Sequence, residues 1–301
     1  MHRATLARSI SLSGIGLFSA RQGTLRLMPA PGGSGICFVR PGDPRPTPAT
    51  IAHLSTVPAH TCIPGAVAGR NTTLARSPAA PEGFATVEHL LSAMAGLGVH
   101  DAAIELDGPE VPIFDGSAGA FVRAIREAGV RHHPLGSPLR EIVPTREVVV
   151  RDERTGASIR ALPRAAPGAS WSYTLFYGPR SPIPSQTAAF EHGQDYAALV
   201  APARTFCLEG EALAMRALGM FSHVSASEML VLDAGGRPID NELRFPDEPA
   251  RHKLLDLMGD LSLLGAVLRA DVIADRSGHA LTHALVREIL AAQPGAAARA
   301  P

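Results

Sequence analysis

In the stretch ARHKLLDLMGDLSLLG (residues 250–265), His252, Asp256 and Asp260 recur every four residues inside an otherwise apolar helical pattern. That spacing stacks the three side chains on one helix face. Carboxylates on such a face are costly unless something positive compensates them. His252 and Asp256 form HxxxD, a spacing at which two side chains can chelate one ion. A catalytic zinc site takes three protein ligands and keeps a fourth position for water, and His89 in TVEHLLSA is the best candidate for the third. Neighbours on a helix point about 100° apart, so Glu88 diverges from the bond direction of His89. It is placed instead to act as general base on a water acidified by the metal. Each motif alone has a plainer reading, since HxxxD also occurs as an ordinary polar pair on a helix.

His279 lies in DRSGHALTHAL, where Ser-Gly-His opens a helix. It reads either as an N-terminal capping turn or as an imidazole near the metal, able to protonate a leaving amine or steady an oxyanion. Arg276 and Lys253 read as phosphate-holding cations or as solvated surface charges. In DGPEVPIFDGSAGAF, Asp107, Glu110 and Asp115 suggest a carboxylate pair for glycoside chemistry. The Gly and Pro content there favours turn-forming acids. Neither GxxxxGK[ST] nor GxGxxG occurs, which removes the common nucleotide-phosphate loops. The histidines at 2, 53, 60, 100, 132, 133, 192, 223 and 283 read as structural or solvated.

These residues need elements to hold them. Residues 1–75 are strand-rich, with TLRLMPA and GICFVR alternating between turns. TVEHLLSAMAGLG (86–98) and AGAFVRAIREAG (118–129) have helical periodicity and close on Gly. HHPLGSP (132–138) reads as a linker. The second half repeats this alternation of strands and helices. EVVVRDERTGASIRAL is a hairpin turning at 153–156, WSYTLFYG a strand, EGEALAMRALG a helix and EMLVLDAGGRPI another hairpin. The helix at 250–265 and a last one in ALTHALVREILAAQ follow. HLLSAMAGLG echoes KLLDLMGDLSLLG, a trace of internal repetition. The pattern predicts an α+β protein of two domains, 1–133 and 138–292, each a sheet layered against helices, with a frayed tail at 293–301.

With 301 residues the chain is long enough for two such cores, and 46% hydrophobic against 19% charged residues is ordinary for a globular protein. Lys plus Arg and Asp plus Glu balance at 28 each, so no overall field recruits nucleic acid or an anionic membrane. Cys37, Cys62 and Cys207 are widely spaced and read as reduced thiols. No apolar run reaches 18 residues, the length expected of a membrane span. The first 40 residues carry five Arg and no acid, imitating a transit peptide, but their alternation reads as strand and turn. The expected location is the cytoplasm.

TVEHLLSAMAGLG, PEVPIFDGSAGAFV, ARTF, LRFPDEPARHKLLDLMGDLSLLG and SGHAL, in this order, together resemble the UDP-3-O-acyl-N-acetylglucosamine deacetylase family from about Ser9 to Ala292. The resemblance implies a zinc-dependent amide hydrolase of lipid A synthesis, built from two similar α+β domains with the active site between them. It implies zinc ligands at His89, His252 and Asp256, with Fe²⁺ an alternative metal for the same donors. It implies Glu88 as general base, His279 as the acid for the leaving amine, Asp260 as its supporting carboxylate and Thr205 as an oxyanion donor. Lys253, Phe206 and Arg276 become substrate contacts. The substrate is a nucleotide-sugar lipid, the expected protein a monomer without nucleic-acid partners or an integral membrane segment.

Two segments depart from the family pattern. Where the family has a Gly-rich GxxLGGS segment that helps shape the acyl passage, this chain reads ALGMFSHVSASEML (217–230). Where the family has GxGLHSG, it reads GIGLFSA, with Phe18 for the histidine and Ala20 for the glycine. These leave two further readings: a paralogous zinc amidase acting on a different acylated amino sugar, and a non-catalytic zinc-binding regulator. Retention of Glu88 and His279 argues against the last, since holding a metal requires neither.

Overall fold

The computed structural model describes residues 2–57, 70–134 and 138–293. Cys62, His60, residues 135–137 of the expected linker and the tail from 294 onward lie outside the described residues.

Two five-stranded sheets form the frame. The first contains β1 (Ile10–Ile15), β2 (Gln22–Pro29), β3 (Ile36–Arg40), β4 (Asp43–Pro48) and β5 (Ala102–Leu106), in the order β1-β2-β5-β3-β4. The second contains β6 (Val148–Arg151), β7 (Ser158–Pro163), β8 (Ser170–Leu175), β9 (Gln186–Glu191) and β10 (Ala270–Asp275), in the order β6-β7-β10-β8-β9. The orders are the same. In each sheet the last strand in sequence enters the centre, antiparallel to the second strand and parallel to the third. Such a parallel neighbour requires a crossover, and each repeat supplies a helix there.

Those helices are α1 (Glu88–Gly96) before β5 and α5 (Glu248–Leu261) before β10. After the fifth strand come α2 (Gly119–Ala128) and α6 (His279–Ala291). The faint echo between HLLSAMAGLG and KLLDLMGDLSLLG therefore marks equivalent elements of two α+β repeats. The second half adds a helical turn, α3 (Tyr196–Leu199), and α4 (Glu209–Ala217).

The strands alternate as half-buried sheets do: in β2, Gly23, Leu25 and Leu27 are buried, and in β10, Ala270, Val272 and Ala274. Helix α5 packs on β8 and β9 and also on α1, while α6 packs on β6 and β7. One hydrophobic cluster runs through both halves, joining Leu25, Leu27 and Ile104 to Leu90, Leu91, Leu254, Leu255 and Val286. The expected hairpin over EMLVLDAGGRPI is only partial. Leu232 makes an isolated bridge to Pro238, while Leu230–Leu232 pairs in parallel with Phe206–Leu208. No helix among the described residues is long and apolar enough to cross a membrane.

A candidate metal centre between the two repeats

The contact of α1 with α5 depends on a missing side chain. A Cβ on Gly259 would overlap the Glu88 carbonyl oxygen, so only glycine lets the two backbones come this close. His89 on α1 thereby faces His252 and Asp256 on α5. The three are buried, and one ligand atom from each lies within 4.8 Å of the others. Asp256 Oδ1 stands 3.4 Å from Nε2 of both histidines, whose rings are 5.0 Å apart and nearly perpendicular.

Hydrogen bonding fixes the state of His252 and Asp256. His252 Nδ1 lies 3.2 Å from the Ala203 carbonyl oxygen, which can only accept, so Nδ1 carries a hydrogen. Burial pushes the His252 pKa down to about 3, keeping the ring neutral despite the nearby Asp256 carboxylate. Nε2 is then a bare lone pair aimed at a carboxylate oxygen. Asp256 Oδ1 is itself buried without a hydrogen-bond donor, while Oδ2 accepts from Lys253 Nζ at 2.8 Å. Lone pairs facing each other in a dry site repel unless a cation lies between them. Two imidazole nitrogens and a carboxylate oxygen are the donor set of a catalytic divalent metal, and the residues fit one.

Acid–base groups flank this cluster. Glu88 is buried and accepts from the Thr72 backbone N–H at 3.0 Å; burial raises its pKa above the usual carboxylate range. His279, the first residue of α6, donates from Nδ1 to Asp260 Oδ2 at 2.7 Å. Burial alone would lower the pKa of His279. The Asp260 carboxylate outweighs it and raises the value to about 9. For Asp260, burial would raise the pKa, but the imidazoles of His279 and His283 overcome it and hold the group well below the carboxylate range. The other carboxylate oxygen, Oδ1, accepts from Thr72 Oγ1 at 2.5 Å.

The remaining expected site residues surround this centre at different ranges. The Phe206 ring lies 6.4 Å from that of His252 and 6.4 Å from Tyr177. Thr205 is half-buried, its N–H bonded to the Gly116 carbonyl. Arg204 forks onto the buried Glu248 carboxylate (Nε to Oε1 at 2.8 Å), tying the ARTF segment to the start of α5. Arg276 stands farther out. It donates to the carbonyls of Thr155 and Gly156 and lines a cleft of about 500 Å³ with Asp152, Phe176, Tyr177 and Leu281. Gly278 borders both that cleft and the small cavity beside Lys253, Asp256 and His279.

Three side chains here escape sequence reading. Thr72 belongs to no motif. His283 reads from the sequence as structural or solvated, yet its Nε2 reaches Thr72 Oγ1 at 3.0 Å. Its position four residues after His279 on one helix face is the available signal. Glu110 is a correction. Read as a turn-forming acid, it is buried and accepts from the N–H groups of Phe18 and Ser19 and from the Thr86 hydroxyl, clamping the GIGLFSA turn. The two departures from the family pattern meet on that turn. Phe18 packs against Phe221 with ring centroids 5.8 Å apart, and His223 Nε2 donates to the Gly16 carbonyl at 3.1 Å. Ala20, at the usual glycine position, has φ +51°, a left-handed conformation that strains any side chain.

A family model for UDP-3-O-acyl N-acetylglycosamine deacetylase matches residues 3–291. A relative named UDP-3-O-acyl-N-acetylglucosamine deacetylase, from Anaeromyxobacter dehalogenans, is 38% identical over 291 residues, covering 96% of this chain and 88% of the relative. A protein of the same name from Myxococcus xanthus is 35% identical, covering 96% and 86%. One from Nostoc sp. is 36% identical, covering 97% and 99%.

Proposed function

We infer the activity from the family to which the chain belongs, that of the UDP-3-O-acyl N-acetylglycosamine deacetylases. The protein hydrolyses the N-acetyl group of UDP-3-O-acyl-N-acetylglucosamine, releasing acetate, in lipid A biosynthesis. One observation carries the chemistry: a buried set of three atoms able to hold a metal shares its helices with a buried carboxylate, Glu88, and with Asp260, the carboxylate that supports the His279 imidazole.

In this reading His89, His252 and Asp256 hold the metal. Zinc is the ion assigned, and iron(II) suits the same donors. When bound, the metal polarises the amide carbonyl and makes water more acidic. Glu88, whose burial raises its pKa and with it the proton affinity of its carboxylate, takes the proton of the attacking water. His279 hands a proton to the departing glucosamine nitrogen: Asp260 occupies Nδ1, which leaves Nε2 for the substrate. The Thr205 hydroxyl is assigned to the oxyanion. Lys253 and Phe206 are assigned to the sugar side of the site. Arg276 and the exposed Tyr177 line the cleft assigned to the nucleotide, with phosphate on the guanidinium and the base against the ring. The repeats are taken as domains 1–133 and 138–292 of a monomer acting in the cytoplasm.

The test is acetate release from UDP-3-O-(3-hydroxyacyl)-N-acetylglucosamine by zinc-loaded protein. Acetate and free amine are expected in equal amounts, lost on chelation and restored by zinc. Folded, zinc-loaded protein that releases no acetate would overturn the reading.

A further inference from the structure

We propose that Thr72 is a positioning residue for the deacetylation, orienting the base Glu88 through its backbone and the acid His279 through its hydroxyl. The proposal rests on the deacetylase reading of the site.

Thr72 is fully buried and touches both halves of the acid–base pair. Its N–H donates to Glu88 Oε2 at 3.0 Å, and its hydroxyl lies 2.5 Å from Asp260 Oδ1 and 3.0 Å from His283 Nε2. The Asp260 carboxylate can only accept, so the single hydroxyl proton of Thr72 belongs to that bond. Thr72 Oγ1 must then accept from His283, which requires a hydrogen on His283 Nε2. A directed line results, from His283 Nε2–H to Thr72 O–H to Asp260 Oδ1, with Asp260 Oδ2 left to hold His279 Nδ1–H at 2.7 Å.

The line matters because a carboxylate with one anchored oxygen can still rotate about its Cβ–Cγ bond. Anchoring both oxygens fixes the plane of Asp260 and thereby aims the imidazole of His279. The same residue's N–H restrains Glu88 at 3.0 Å. Strain is consistent with this demand for placement: Thr86, two residues before Glu88, has φ +57° and is held by Asn71 and Glu110.

The experiment compares zinc-loaded wild type, Thr72→Val and Thr72→Ser. Val keeps the shape and removes the hydroxyl; Ser keeps the hydroxyl. The expected result is a fall in kcat of about 10- to 100-fold for Val, as for other outer partners of catalytic groups. KM and bound metal should stay within about twofold, and Ser should recover most of the loss. A Val variant with wild-type kcat, or a loss that Ser does not reverse, overturns the proposal. A second readout needs no turnover: the ¹⁵N spectrum of His283 in metal-free wild type should show Nε2 carrying a proton. An unprotonated Nε2 overturns the hydrogen-bond line whatever the variants do. Wild type that releases no acetate counts against the deacetylase reading; active wild type with an equally active Val variant counts against Thr72 alone.

Discussion

Asp260 divides its two oxygens, one to His279 and one to Thr72, and the charge it carries decides the protonation of the imidazole. Burial by itself favours neutral His279; with Asp260 beside it the pKa rises to about 9. A folded value above the ordinary 6.5 means the imidazolium contributes stability fully below about pH 6.5. That contribution is lost as pH rises through about 9. An acid that must be protonated gives kcat an alkaline limb near the same pH. Asp260→Asn should therefore move the alkaline limb downward by at least one pH unit, read from kcat against pH; a limb that stays in place would dissociate His279 from the acid role. His252, Asp256 and Asp260 are legible together in the sequence because one helix fixes their spacing. Thr72 and Glu110 are not, because their partners lie 188 residues away at Asp260 and about 90 away at Phe18 and Ser19. No local pattern records such pairings.

At the scale of elements, the site is a product of how closely α1 and α5 approach. Gly259 faces the Glu88 carbonyl, so Gly259→Ala forces the helices apart and separates His89 from His252 and Asp256. The expected cost is roughly 1–3 kcal/mol of stability, as for overpacked cores. It should come with weaker metal binding, measured by thermal melting and zinc titration. Unchanged melting and zinc affinity would mean the helices have room to spare. Both helices are legible from their apolar periodicity and their stops, and α6 opens at His279 as the Ser-Gly-His turn predicts. The central strand β10 is hidden in the sequence because ADVIAD is short and carries acids at its second and last positions. Its place is set by pairing with β7 and β8, residues about 100 positions earlier. The ARTF segment owes its position to the Arg204–Glu248 pair, whose two ends are in different parts of the sequence.

Across the whole molecule, two copies of one α+β plan contribute unequally to one centre. The first repeat brings Glu88 and His89; the second brings His252, Asp256, Asp260 and His279. A metal held by both clips the repeats together, and a ligand that binds only the folded state stabilises by about 2.7 kcal/mol at 100 times its Kd. Chelation should lower the melting temperature of wild type and leave that of His252→Ala nearly unmoved; equal shifts in both would take His252 out of the site. The two-domain plan is visible in the sequence as repeated strand-then-helix runs. The shared strand order is not, since it arises from the late crossover of each fifth strand. In the proposed reaction Glu88 acts as base on water beside the metal without being one of its ligands. The most direct test is acetate release by Glu88→Ala with bound zinc quantified on the same sample. Full zinc occupancy with turnover reduced by about 10²- to 10⁴-fold is the predicted result. Turnover near that of wild type, or loss of the zinc itself, would contradict it.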